Sequence, residues 1–104
     1  AVFRARNPTL RRSDFGAGVA RFPPVDCHGL TVDDCLLLAR QLVRHAVAVR
    51  VRELTIITGV GRHSARGIAR LRPTLRRLLT SAGVSFTYRE GKFAIRVDPD
   101  RTRM

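Results

Sequence analysis

Tryptophan is absent from the 104 residues, tyrosine occurs once and phenylalanine five times. So thin an aromatic supply argues against base-stacking platforms of the kind RNA-recognition motifs lay across a sheet. Cysteine occurs twice, at Cys27 and Cys35, with no C-x-x-C pair, so no zinc site is expected. Both fall where the hydrophobic pattern predicts burial, in keeping with a reducing compartment. No run of about 18 apolar residues occurs, which excludes a membrane-spanning helix. The longest apolar-rich region, 35–49, is broken by Arg40, Gln41, Arg44 and His45. No internal repeat is visible. Position 1 is alanine rather than methionine, so the chain reads as processed or cut from something longer.

Acids are also scarce. Eight of them face 20 basic residues, a formal net charge of +12, and Lys92 is the only lysine, leaving 19 arginines. An excess of this size in a small chain points to a polyanionic partner, most simply a nucleic acid. Arginine suits that partner because its planar fork pairs with phosphate and stacks on bases. A GC-rich genome would also favour arginine over lysine, but not base over acid.

The length suits one domain with one core. Residues 1–24 carry Arg4, Arg6, Arg11, Arg12 and Arg21 against Asp14, with no sustained hydrophobic period. They read as a basic extended arm, poorly ordered unless a partner holds it. Such composition also occurs beside mitochondrial transit peptides. The expected location is therefore intracellular, the mitochondrial matrix first and the cytoplasm as the alternative.

Val25 to His28 reads as a strand ending at Gly29. Thr31 is an N-cap, with Asp34 three residues on as the capping-box acid. A helix over 32–49 follows, with Cys35, Leu38, Ala39, Leu42, Ala46 and Val49 as its apolar stripe and His45 solvated on its polar side. Leu54 to Thr58 reads as a central, parallel strand. Residues 62–72 read as a loop, and Pro73 as the first residue of a second helix whose buried face holds Leu75, Leu78, Leu79 and Ala82. Strands over 84–89 and 93–97 flank the turn Glu90-Gly91-Lys92, and 98–104 is a polar, loose tail. The fold class is α/β: a βαβαββ two-layer sandwich, a four-stranded mixed sheet with two helices.

Ligands of open α/β sheets bind beyond the carboxyl ends of parallel strands, where both notable motifs fall. Asp26 and His28 end the first strand, on one face by the period of two. Thr58-Gly59-Val60-Gly61 follows the second, and its glycines allow the backbone to approach an anion. From Arg62 to Arg77 there are six arginines, one histidine (His63) and no acid. The segment predicts phosphate binding by Gly59, Gly61, Arg62, Arg66, Arg70, Arg72 and Arg76. His63 either faces the substrate or ties its loop to a carbonyl. Ser64 has no evident base.

Val25-Asp26-Cys27-His28-Gly29-Leu30 stands for an L-D-x-H-G motif, and Thr58-Gly59-Val60-Gly61-Arg62-His63-Ser64 for T-G-x-G followed by H-S. With Gly67 and Leu71-Arg72-Pro73, these resemble, in order, the motifs of the Smr (small MutS-related) domain family over about residues 25–97. The resemblance implies a fold like the C-terminal domain of bacterial translation initiation factor three, and nucleic-acid work. Many such domains are endonucleases that nick DNA or cut RNA, and others bind without cutting. It ties activity to Asp26, His28, Gly59 and Gly61, with His63 and Arg72 as accessories. Val60 departs from the basic or aromatic residue often found between the glycines.

Two functions compete. In the first, an endonuclease, Asp26 holds a hydrated Mg²⁺ or Mn²⁺ or fixes the tautomer of His28, and His28 serves as general acid or base. Metal-dependent hydrolysis and metal-free attack by a ribose 2′-OH both remain open. In the second, the domain is a non-catalytic RNA-binding part of a ribosome or other ribonucleoprotein: Asp26 fixes its turn and His28 packs. RNA is favoured over DNA as partner in both, and no membrane is involved.

Overall fold

A computed structural model describes the backbone of residues 6–59 and 66–102, and the side chains of 6–59 and 71–102. After a single 3-10 turn (Arg12–Phe15) the order is β1 (Val25–Asp26), α1 (Val32–Val49), β2 (Glu53–Ile57), α2 (Arg66–Ser81), β3 (Ser85–Arg89) and β4 (Lys92–Arg96). This is the expected βαβαββ arrangement. The sheet order is β1-β2-β4-β3, with β1 parallel to β2 and the other pairs antiparallel. Among the described residues no helix is long and apolar enough to cross a membrane.

Alternation within the strands divides the sheet into two faces. Leu54, Ile56, Phe93 and Ile95 are buried under the helices, while Lys92, Ala94 and Arg96 on the opposite face are exposed. Helix α1 contributes Cys35, Ala39, Leu42, Val43 and Ala46 to the core, and α2 contributes Leu71, Leu75 and Leu79. Thr31 accepts the Asp34 N–H (3.1 Å) as the expected N-cap. At the other end Arg50 turns left-handed (φ 59°), and its N–H and that of Val51 close on the last carbonyls.

Three expectations change. Helix α2 starts at Arg66, so part of the predicted loop is helical and Pro73 lies about two turns inside it rather than at its first position. A proline there forfeits one helical hydrogen bond, a cost of roughly 3 kcal/mol. Burial of Leu71, Leu75 and Leu79 along one stripe outweighs that cost. Second, β1 stops at Asp26. The chain then turns, with the Leu30 N–H on the Cys27 carbonyl (3.1 Å) and Gly29 at φ 88°.

Third, the described part of the N-terminal segment packs on the domain. Phe22 is 2% exposed and donates its N–H to the Glu53 carbonyl (3.0 Å). Its ring meets Phe15 edge-on at 5.2 Å and stacks on His45 at 5.6 Å. His45, expected to be merely solvated, also bonds the Phe15 carbonyl through Nε2. These are single anchors rather than a periodic stripe, which is why the pattern hid them. Phe22→Ala should therefore destabilise the whole domain by about 3 kcal/mol or more, as a core substitution does. Denaturant unfolding of the full chain measures it, and a loss under about 0.5 kcal/mol would mean the segment is not part of the fold.

Candidate functional site

The carboxyl edge of the two parallel strands is built around Asp26. Its backbone is held from both sides. Inward, β1 pairs with β2 in the register Val25 with Ile56 and Asp26 with Ile57, and the ladder extends to a bond from the Cys27 N–H to the Ile57 carbonyl (2.8 Å). Outward, where an edge strand would show bare backbone, the buried Asn7 amide donates to the Asp26 carbonyl and accepts the Asp26 N–H, both at 2.8 Å. Asn7 thus imitates one residue of a neighbouring strand.

The carboxylate has a local task. Asp26 Oδ1 accepts the His28 N–H at 2.8 Å, closing a side-chain turn. Strand periodicity does not relate the two residues, since the strand has ended; this bond ties the His28 backbone to the Asp26 carboxylate instead. His28 itself is exposed rather than packed. Cys27, between them, is 1% exposed, and Cys35 donates its Sγ–H to the Cys27 carbonyl (3.3 Å). The neighbouring Cys35 thiol and burial push the Cys27 thiol far above its ordinary pKa. Cys27 is therefore structural.

Across the edge, Thr58 and Gly59 leave β2 and meet the hairpin turn between β3 and β4. The Gly91 carbonyl accepts three bonds: from the N–H of Thr58 (2.7 Å), the N–H of Gly59 (3.2 Å) and the Thr58 hydroxyl (3.2 Å). Glu90 (φ 48°) and Gly91 (φ 82°) both turn left-handed, as a two-residue hairpin of the primed type requires. A Cβ on Gly91 would stand 2.7 Å from the Gly59 carbonyl carbon and 2.9 Å from its oxygen. Only glycine lets these two backbones touch. The sequence marks Gly91 as a turn but not as a support of the glycine loop, because that contact joins Gly59 and Gly91, 32 residues apart in the chain.

A second link runs to α2. The Gly91 N–H donates to the Tyr88 hydroxyl (3.0 Å), and the Arg72 and Arg76 guanidinium groups lie over the Tyr88 ring at 5.2 and 5.5 Å. Two of the predicted phosphate-binding arginines are thus connected to the loop through one tyrosine. Gly61, Arg62 and His63 lie outside the described residues, as do the side chains of Arg66 and Arg70. Among the described residues no three His, Cys, Asp or Glu side chains converge as a metal cage. The donor at this edge is one carboxylate, which suits a hydrated Mg²⁺ or Mn²⁺ bound mainly through water and substrate phosphate.

Two outcomes test this geometry. Gly91→Ala should cost about 2 kcal/mol or more, from the left-handed φ and the backbone clash together. It should also shift the amide resonances of Thr58 and Gly59; unchanged resonances would mean that the two turns are independent. Cys27 should resist alkylation in the native protein at mildly alkaline pH and react once unfolded, which peptide mass spectrometry reads directly.

Comparison with known proteins agrees with this frame. Endonuclease NBR9 of Saccharomyces cerevisiae is 29% identical over 73 residues, covering 70% of this chain and 30% of that protein. A Smr domain-containing protein of Schizosaccharomyces pombe is 31% identical over 62 residues, 60% of this chain and 30% of its own length. The chain thus spans under a third of these curated relatives. The solution structure of the B3BP Smr domain superposes with a TM-score of 0.67 at 24% identity, covering 93% of this chain and 90% of that one. The crystal structure of the human small-MutS related domain gives 0.57 at 28% identity, over 70% and 98%. The Smr domain family model matches residues 25–93, so this chain belongs to the Smr domain family.

Proposed function

We propose that this chain binds a nucleic acid, RNA in preference to DNA, and cuts its phosphodiester backbone at the Asp26–His28 edge. The observation that carries the reading is the bond from the His28 backbone N–H to Asp26 Oδ1, which ties the backbone of an exposed histidine to a carboxylate at the strand end, next to the residues that follow β2. Membership of the Smr family and a relative named as an endonuclease support it.

In this reading His28 moves the proton. It takes one from the attacking oxygen, or gives one to the departing oxygen, with an imidazole whose ordinary pKa lies near neutrality. Asp26 holds the His28 backbone in place with Oδ1. Its Oδ2, which has no partner among the described residues, is left for the nucleophile or for a water of a bound divalent ion. A bound Mg²⁺ or Mn²⁺ would supply charge neutralisation at the phosphate. Arg76, exposed above Tyr88, and Arg72 beside it would hold the phosphate and stabilise its developing charge. His63, Arg62, Arg66 and Arg70 belong to the same proposal as residues of the glycine-arginine segment.

One observation favours a second reading. Asp26 already serves its turn, so a non-catalytic RNA-binding module, within a ribosome or another ribonucleoprotein, would keep the same bond. Nuclease assays on structured RNA and nicked DNA, with Mg²⁺, Mn²⁺ or EDTA, separate the two. His28→Ala and Asp26→Asn should abolish cutting and leave RNA affinity within about twofold, the signature of groups used only in the transition state. Wild-type protein that cuts none of these substrates under any condition leaves only the binding module. A 2′-deoxy substitution at the cut site distinguishes water from the ribose hydroxyl as nucleophile.

A further inference from the structure

We infer that the open face of the sheet is a second binding surface, a track for the sugar-phosphate backbone of a polynucleotide that begins at Asp26 and runs across Lys92 and Arg89. The inference rests on the nucleic-acid reading above and extends it from Asp26, in the first motif, to Lys92 and Arg89, which lie in neither family motif.

Register makes the argument. Asp26 pairs with Ile57, Ile57 with Lys92, and Lys92 with Arg89. Directly paired residues project from the same face, so these four form one row across the sheet, on the side away from the helices. With strands about 4.8 Å apart, Lys92 lies roughly 10 Å and Arg89 roughly 14 Å along the row from Asp26, measured at the backbone. A polynucleotide seated at Asp26 and His28 can therefore continue over both cations without leaving the row.

The chemistry of the face fits a phosphate chain rather than an apolar partner. The next row holds Thr55, Ala94 and Thr87, and the one after it Glu53, Arg96 and Ser85. Apart from the paired Glu53 and Arg96 these are small or hydroxyl-bearing residues that let a backbone lie close, the hydroxyls donating to its oxygens. Among the described residues the face has no aromatic ring, and its one large aliphatic, Ile57 in the row itself, is half-buried; the large exposed apolar side chain among the described residues is Leu37, on α1. A protein interface would instead be expected to have an apolar core. A groove of about 700 Å³ on this face is lined by Thr55, Thr87, Arg89 and Lys92 together with Ile57 and the acid Glu90. The acid at the far end, Glu53, is already engaged by Arg96 (3.0 Å) and Arg21 (3.9 Å). Arg89 and Lys92 are exposed and in no ion pair among the described residues. Without rings to stack on, such contacts are to backbone and are indifferent to base sequence.

Salt-dependent affinity tests it. The full chain is titrated with a fluorescein-labelled stem-loop RNA at a series of KCl concentrations. The Arg89→Gln/Lys92→Gln double variant should lower the slope of log K against log[KCl] by about 2, one for each lost phosphate contact, and weaken binding about tenfold or more. A charge-matched control on the outer face of α1, Arg40→Gln/Arg44→Gln, should keep the wild-type slope. Thr87→Lys, one row further on, should steepen it by about 1. All these positions are exposed, so unfolding midpoints should stay close to wild type. If the double variant keeps the wild-type slope, the track is refuted and the Asp26–His28 reading stands. If wild-type protein shows no salt-dependent binding, both fall.

Discussion

The contact between Gly91 and Gly59 is the constraint on which the functional edge depends. Two backbones touch there with no side chain between them, and one carbonyl takes three hydrogen bonds from the opposite loop. That contact joins the hairpin to the end of β2, which in turn sets where the glycine loop leaves the sheet. Since β1 pairs only with β2, the placement of Asp26 follows from the same junction. The tyrosine that ties off the turn also seats Arg72 and Arg76, so cations from α2 are referenced to the same point. One close approach thereby sets the relative positions of an acid, a loop and two guanidinium groups that come from three separate stretches of chain.

β1 is only two residues long and lies at the sheet edge. Alone, so short an edge strand would fray. It is held because Asn7 satisfies its outer backbone groups while β2 satisfies the inner ones. This gives the N-terminal segment a part in the site that its composition does not reveal. Its arginines suggest a solvated tether, whereas Asn7, Phe15 and Phe22 make it a brace. A brace made of single residues has no period, and period is what makes an element readable from sequence.

The same distinction separates what the sequence made legible from what it did not. The helix over about 32–49 was readable, because Thr31 caps it and its apolar stripe repeats at helical spacing. The parallel pairing, and with it the meeting of Asp26 with the Thr58–Gly59 turn, followed from strand order. Pro73 misled, since its preference for a first helical turn competes with a leucine stripe that already begins at Leu71. For Asp26 and His28 the spacing suggested a shared strand face, whereas the strand ends at Asp26 and its carboxylate holds the His28 backbone N–H in a turn. The role of Gly91 could not be read at all, because it depends on a contact between loops far apart in sequence.

The charge distribution also has to be explained physically. A net charge of +12 on 104 residues works against compaction by self-repulsion. Among the described residues only four ion pairs offset it, all of them exposed, and exposed pairs contribute well under about 1 kcal/mol each. Stability alone would favour fewer arginines or more acids. Instead the cations leave the core untouched: two stand over Tyr88, Arg89 and Lys92 extend the row that starts at Asp26, and others such as Arg40 and Arg44 lie on the outer face of α1. The aromatic side chains that could have read bases are spent inside, on Phe93 and Phe22. A surface rich in charge and poor in exposed rings holds phosphate and is blind to sequence. For the nucleic-acid reading proposed above, such contacts select by the shape of a phosphate backbone rather than by its bases.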